Sequence, residues 1–110
     1  MVKEDQTFEN NKIRIGQNKN ENDQIIKDAK DTDIWFHLEP FPSCHVILSC
    51  SDEFPVTQEM IEYCAKLCKE NTKYKAIPKI GVNYTTINKI QRTDEPGKVH
   101  IVGKPKRIVV

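Results

Sequence analysis

The sequence predicts an α+β fold, a single domain in which a mostly antiparallel sheet carries two helices packed on it. Three observations lead there. Apolar residues recur at helical spacing in two separate stretches, one holding Ile25, Ile26 and Ala29, the other Met60, Ile61, Cys64, Leu67 and Cys68. Around them lie short runs rich in β-branched and aromatic residues, set apart by polar, glycine or proline-containing turns. The chain's 110 residues suffice for one modest core, which such elements fill as a sheet covered by helices.

Each element has its own warrant. Residues 1–11 are polar and aperiodic and read as a flexible lead-in, leaving 12–110 for the domain. Lys12-Ile13-Arg14-Ile15 alternates polar with apolar and is expected as a strand closed by Gly16. Gln17 to Asn20 is turn chemistry, with Asn20 as the expected N-cap and Glu21 and Asp23 in the first turn, where carboxylates suit the helix dipole. That helix should end near Lys30, broken by Asp31-Thr32-Asp33. In the strand Ile34 to Leu38, Ile34, Phe36 and Leu38 share one face while Trp35 and His37 share the other.

Pro40 and Pro42 make Glu39 to Ser43 a loop, and Cys44 to Ser51 should return as the partner strand of a hairpin. Thr57 caps the clearest helix, Gln58 to Asn71. Ile80 to Thr85, Val99 to Val102 and Arg107 to Val110 complete the strands.

Bulk properties exclude several classes. No apolar run approaches the ~20 residues of a membrane span, and the first residues lack the apolar core of a secretory signal. A cytoplasmic protein without membrane contact is expected. The net charge of +1 does not by itself announce a polyanion partner. Its distribution says more: from Gly97 onward stand Lys98, Lys104, Lys106 and Arg107 with no acid among them. Cys44, Cys50, Cys64 and Cys68 read as reduced thiols, and Cys64 and Cys68, four apart on one helix face, as small buried apolar residues. Their spacing does not form the repeated pairs of a zinc site, so neither metal nor cofactor is expected.

The motifs carry the functional reading. Gly16-Gln17-Asn18-Lys19-Asn20-Glu21-Asn22-Asp23 is followed by Asp33-Ile34-Trp35-Phe36-His37 and then by Pro42-Ser43-Cys44-His45-Val46. Further on come Val82-Asn83-Tyr84-Thr85, Lys89 and Pro96-Gly97-Lys98-Val99. This ordered set closely resembles the NFACT-R domain, across nearly all the chain from Ile13 onward. The resemblance implies an RNA-binding module that works around the ribosome or tRNA in translation-linked quality control, and not an enzyme.

Among the shared residues, the candidate nucleic-acid contacts are Asn18, Asn22, Trp35, His37, His45, Lys89 and Lys98; the competing reading makes Trp35 core, the histidines structural, the asparagines caps or turn residues and the lysines solvated. Two departures stand out. Gln17 replaces an arginine common in the family, which removes a cationic phosphate partner, and Ser43-Cys44 replaces glycine-serine, which narrows backbone freedom.

Physical chemistry supports part of this independently. Histidines on neighbouring strands share a face if the register sets them opposite, and His37, His45 and Trp35 would then form a patch for stacking a base and bonding phosphate or 2′-OH. Backbone N–H groups at the helix start beside Asn22 form an anion site, and Lys89 and Lys98 suit phosphates. Contacts limited to phosphate and base faces do not discriminate sugars, so DNA stays open as a partner. Two other classes compete: a protein-docking module for a ribosome-associated factor, and an RNA-processing enzyme using His37 and His45. A Cys44–His45 nucleophile is disfavoured, because adjacent strand residues face opposite ways.

Overall fold

The segment Ile34–Glu39 is apolar on both faces along its first half, so it needs cover from both sides, and the architecture follows from that. The computed structural model describes residues 1–39 and 41–110. Among these the order is β1 (Lys3–Asp5), β2 (Ile13–Ile15), α1 (Lys19–Asp28), β3 (Ile34–Glu39), β4 (Val46–Leu48) and α2 (Gln58–Glu70). It continues with β5 (Gly81–Thr86), a 3-10 turn over Ile87–Lys89, β6 (Ile90–Arg92), β7 (Val99–Ile101) and β8 (Lys106–Val109). Six strands form one antiparallel sheet in the order β1-β2-β4-β3-β5-β8, while β6 and β7 form a separate antiparallel pair. The α+β class expected from sequence is the fold observed.

The helices lie on opposite faces. Ile34, Phe36 and Leu38 join Ile13, Ile15, Val46 and Leu48 in a core closed by Cys64, Ala65 and Cys68 of α2. The reverse face holds Trp35 and Ile47, covered by Ile25 and Ile26 of α1 and by Ile87 and Ile90. Burying each such side chain stabilises the fold by roughly 1.5–3 kcal/mol before entropy is counted. All four cysteines are free and buried, Cys64 and Cys68 as their helical spacing suggests and Cys44 and Cys50 beyond it.

Several boundaries differ from the sequence reading. The cap of α1 is Asn18, not Asn20: its Oδ1 accepts from the Glu21 N–H at 2.9 Å, and Glu21 in turn accepts from the Gln17 N–H at 3.0 Å. Two residues of extra helix follow from that reciprocal closure. Thr57 caps α2 as expected, its hydroxyl accepting from the Met60 N–H. Glu39, expected in the loop, ends β3 opposite Gly81, and Pro40 of the same loop lies outside the described residues.

β4 is shorter than the expected Cys44 to Ser51 strand. Residues 3–5, expected in the lead-in, form β1 against β2, and Phe8 packs edge-on against Tyr63 of α2 at 5.3 Å. β6 has no counterpart among the expected strands. Among the described residues, no helix is long and apolar enough to cross a membrane.

Candidate functional site

The β3–β4 register sets Trp35 opposite Ile47 and Phe36 opposite Val46, so continuing it by one step brings His37 and His45 together. Their ring centroids are 4.9 Å apart, nearly perpendicular. Trp35 completes the group, parallel to His37 at 5.6 Å and edge-on to His45 at 5.5 Å. Trp35 is buried, its indole N–H donating to His45 Nδ1 at 3.2 Å. That bond requires an unprotonated Nδ1, so the neutral ring carries its proton on Nε2. Burial, with the neighbouring His37 adding to it, holds the His45 pKa down at about 3, and burial likewise lowers that of His37.

Backbone bonds lock His45 to the start of α1. Its carbonyl accepts from the Gly16 N–H at 3.0 Å, and its N–H donates to Oδ1 of the buried Asn22, also at 3.0 Å. Asn22 thus extends the β2–β4 ladder with a side chain. Gly16 is required here, since a Cβ on it would sit 2.2 Å from Asn22 Oδ1 and 2.8 Å from Asn22 backbone atoms. With Glu21 capped by Asn18 and the Asn22 N–H bonded to the Asn18 carbonyl, the N–H groups of Lys19 and Asn20 are the ones the first turn leaves over.

These parts open onto one cleft of about 640 Å³. Asn18, Lys19 and Asn22 form one wall, His37 and His45 another, and the turn from Glu95 to Lys98 a third. Gly97 holds that turn in place: its φ is +82°, and a Cβ there would lie 3.1 Å from the Lys19 Cα and carbonyl oxygen. Lys98 lies 3.9 Å from Glu95, both well exposed. A smaller groove of about 290 Å³ adjoins the cleft, lined by Trp35, His37, His45, Lys98 and the inner side of β7.

The structure thus brings Asn18, Asn22, His37, His45 and Lys98 together, with Trp35 behind them. Lys89 is elsewhere, in a third depression with Thr85, Thr86, Lys104 and Lys106. Lys19 and the Gly97 hinge join the site without being among the expected contacts, although both sit inside the motifs. Asp33, the motif's acid, is structural: its carboxylate accepts from the Lys30 and Cys50 N–H groups and stands 3.8 Å from Arg14. Arg14 therefore faces inward and does not join the cleft. Cys44 Sγ donates to the Cys68 carbonyl, toward α2 and away from the His45 ring. Among the described residues, no three His, Cys, Asp or Glu side chains gather to hold a metal ion.

An open cleft with neutral imidazoles, a helix N-terminus and flanking lysines offers hydrogen-bond donors, positive charge and flat rings on one surface. Comparison with known proteins gives the family. The NFACT protein RNA binding domain matches residues 1–104, and the chain belongs to that family. Family membership supports RNA as the partner and a binding role. Coiled-coil domain-containing protein 25 is 31% identical over 87 residues in zebrafish (Danio rerio), mouse (Mus musculus) and cattle (Bos taurus). Those matches cover 74% of this chain and 41% of each relative, so the chain spans about two-fifths of the length of the proteins it matches. The solved C-terminal part of the fibronectin/fibrinogen-binding protein from Streptococcus suis superposes with a TM-score of 0.80 at 26% identity, over 91% of this chain and 40% of that one.

Proposed function

We propose that the cleft between α1, the β3–β4 turn and the Gly97 turn binds a nucleotide unit of single-stranded RNA. The convergence of His37, His45 and the α1 N-terminus on one cleft carries this reading. The outer side of His37 continues the Trp35–His37 stack, so a base laid on it makes a third ring in the series. Trp35 serves as the buried backing of that stack. His45, fixed as an Nε2–H donor, addresses an acceptor on the ribose or phosphate.

The phosphate is received by the leftover N–H groups of Lys19 and Asn20 and by the Lys19 and Lys98 ammonium groups. In the cell, the family resemblance extends this to tRNA or ribosomal RNA during translation-linked quality control in the cytoplasm. The direct test is fluorescence anisotropy of the purified protein with labelled single-stranded RNA, tRNA and single-stranded DNA at two salt concentrations. Salt-sensitive binding that prefers RNA is expected. Indifference to all three would overturn the reading in favour of a protein partner.

A further inference from the structure

We infer that the RNA site extends beyond the cleft to a second phosphate anchor, formed by Lys89, Lys104 and Lys106 past the far end of the β6–β7 pair; this rests on the nucleotide-binding reading of the cleft. The first support is continuity. The cleft and the adjoining groove share His37, His45, Gly97 and Lys98, and the groove runs on along β7 as far as Ile101. The third depression, of about 270 Å³, opens past the end of β7 at the end of the sheet, where Ile34, Tyr84 and Thr86 present the α2-side face, so a strand leaving the groove reaches it by turning over that end beside Lys104. β7 pairs with β6 alone, and its Val99 and Ile101 line the groove.

Charge is the second support. Lys89, Lys104 and Lys106 come from three separate stretches, the 3-10 turn, the Gly103 turn and the start of β8, and line one depression. None is paired with a carboxylate among the described residues, whereas Lys98 has Glu95 and Arg107 has Glu39 nearby. Ile34, Tyr84 and Val56 supply apolar walls, and Thr86 supplies a hydroxyl. Clustered unpaired ammonium groups beside a hydroxyl match phosphate oxygens, which carry position and not sequence.

The spacing fits one strand making both contacts. The Lys89 carbonyl accepts from the Val102 N–H at 2.8 Å, so Lys98 and Lys89 mark opposite ends of the β6–β7 pair. Strand rise places those ends on the order of 13 Å apart, further than one nucleotide reaches. Single-stranded RNA running from the cleft along β7 and over the end of the sheet therefore sets a base against His37 at one end and phosphates against the lysines at the other.

The length of the RNA ligand makes this testable. Oligouridylates of two to eight nucleotides, titrated against the protein at about 50 mM salt, should gain at least roughly tenfold in affinity between two and six nucleotides and then level off. Joint substitution Lys89→Glu, Lys104→Glu and Lys106→Glu should abolish that gain while dinucleotide affinity stays within about twofold. The three Arg replacements should retain the gain. All three lysines are exposed, and an unchanged melting temperature confirms that the variants fold. A full length dependence in the Glu variant overturns the second anchor and leaves the cleft reading standing. Failure of the unmodified protein to bind any oligouridylate overturns both.

Discussion

At the scale of single residues, the two histidines have different duties and should fail differently. His37 is half-buried and offers a ring side, so His37→Ala should weaken RNA binding by about 1–3 kcal/mol with little change in melting temperature. His45→Ala instead removes the acceptor of a buried indole N–H, and should lower unfolding free energy by about 1–3 kcal/mol in urea titrations. The same residue predicts a pH dependence. With its pKa lowered from 6.5 to about 3, folded His45 stays neutral where the unfolded chain takes a proton. Its stabilising contribution is complete above pH 6.5 and declines as pH falls from there toward about 3, so urea midpoints should fall over that range. RNA affinity should change by less than about twofold between pH 7 and 8, because neither imidazole changes charge there.

At the scale of elements, the Gly97 turn seats the third wall of the cleft. Gly97→Ala imposes left-handed backbone on alanine, at about 1 kcal/mol, and pushes a Cβ against the Lys19 backbone. Gly103 has a similar φ of +79° with nothing within 4 Å of the place a Cβ would take, so Gly103→Ala carries the backbone cost alone. Both should lose melting temperature, Gly97→Ala the more, with RNA affinity reduced in Gly97→Ala and retained in Gly103→Ala. Equal affinities by anisotropy would show that the turn does not shape the site.

Which elements are legible in the sequence follows the same physics. β3 and α2 declare themselves through alternation and helical spacing, nearly to their ends. β1 has only Lys3, Glu4 and Asp5, so nothing in its pattern marks a strand, and its order comes from pairing with β2 and from Phe8 on Tyr63. The His37–His45 pairing is legible only as a condition on register, which Ile47 and Val46 then fix by burial. Lys89 shares the motif set with Lys98, yet the β6–β7 pair sets them at opposite ends, a separation spacing alone does not reveal.

For the whole molecule, the charge balance of +1 sets how strongly salt should act. A chain with a large positive excess attracts any polyanion at long range, but this one has most of its acids spread through its first seventy positions, and beyond them only Asp94 and Glu95. On the proposed reading, its affinity for single strands comes from the few phosphates met between the cleft and the lysine cluster. Three or four such contacts predict a slope of log K against log salt near −2 to −3, at about −0.7 per phosphate. Removing the cations at Lys89, Lys104 and Lys106 should flatten that slope by about 1.5–2, whereas His37→Ala should lower affinity at every salt concentration and leave the slope unchanged. A slope near zero in the unmodified protein would mean that phosphates do not carry the binding, and that the cleft recognises its partner through other groups.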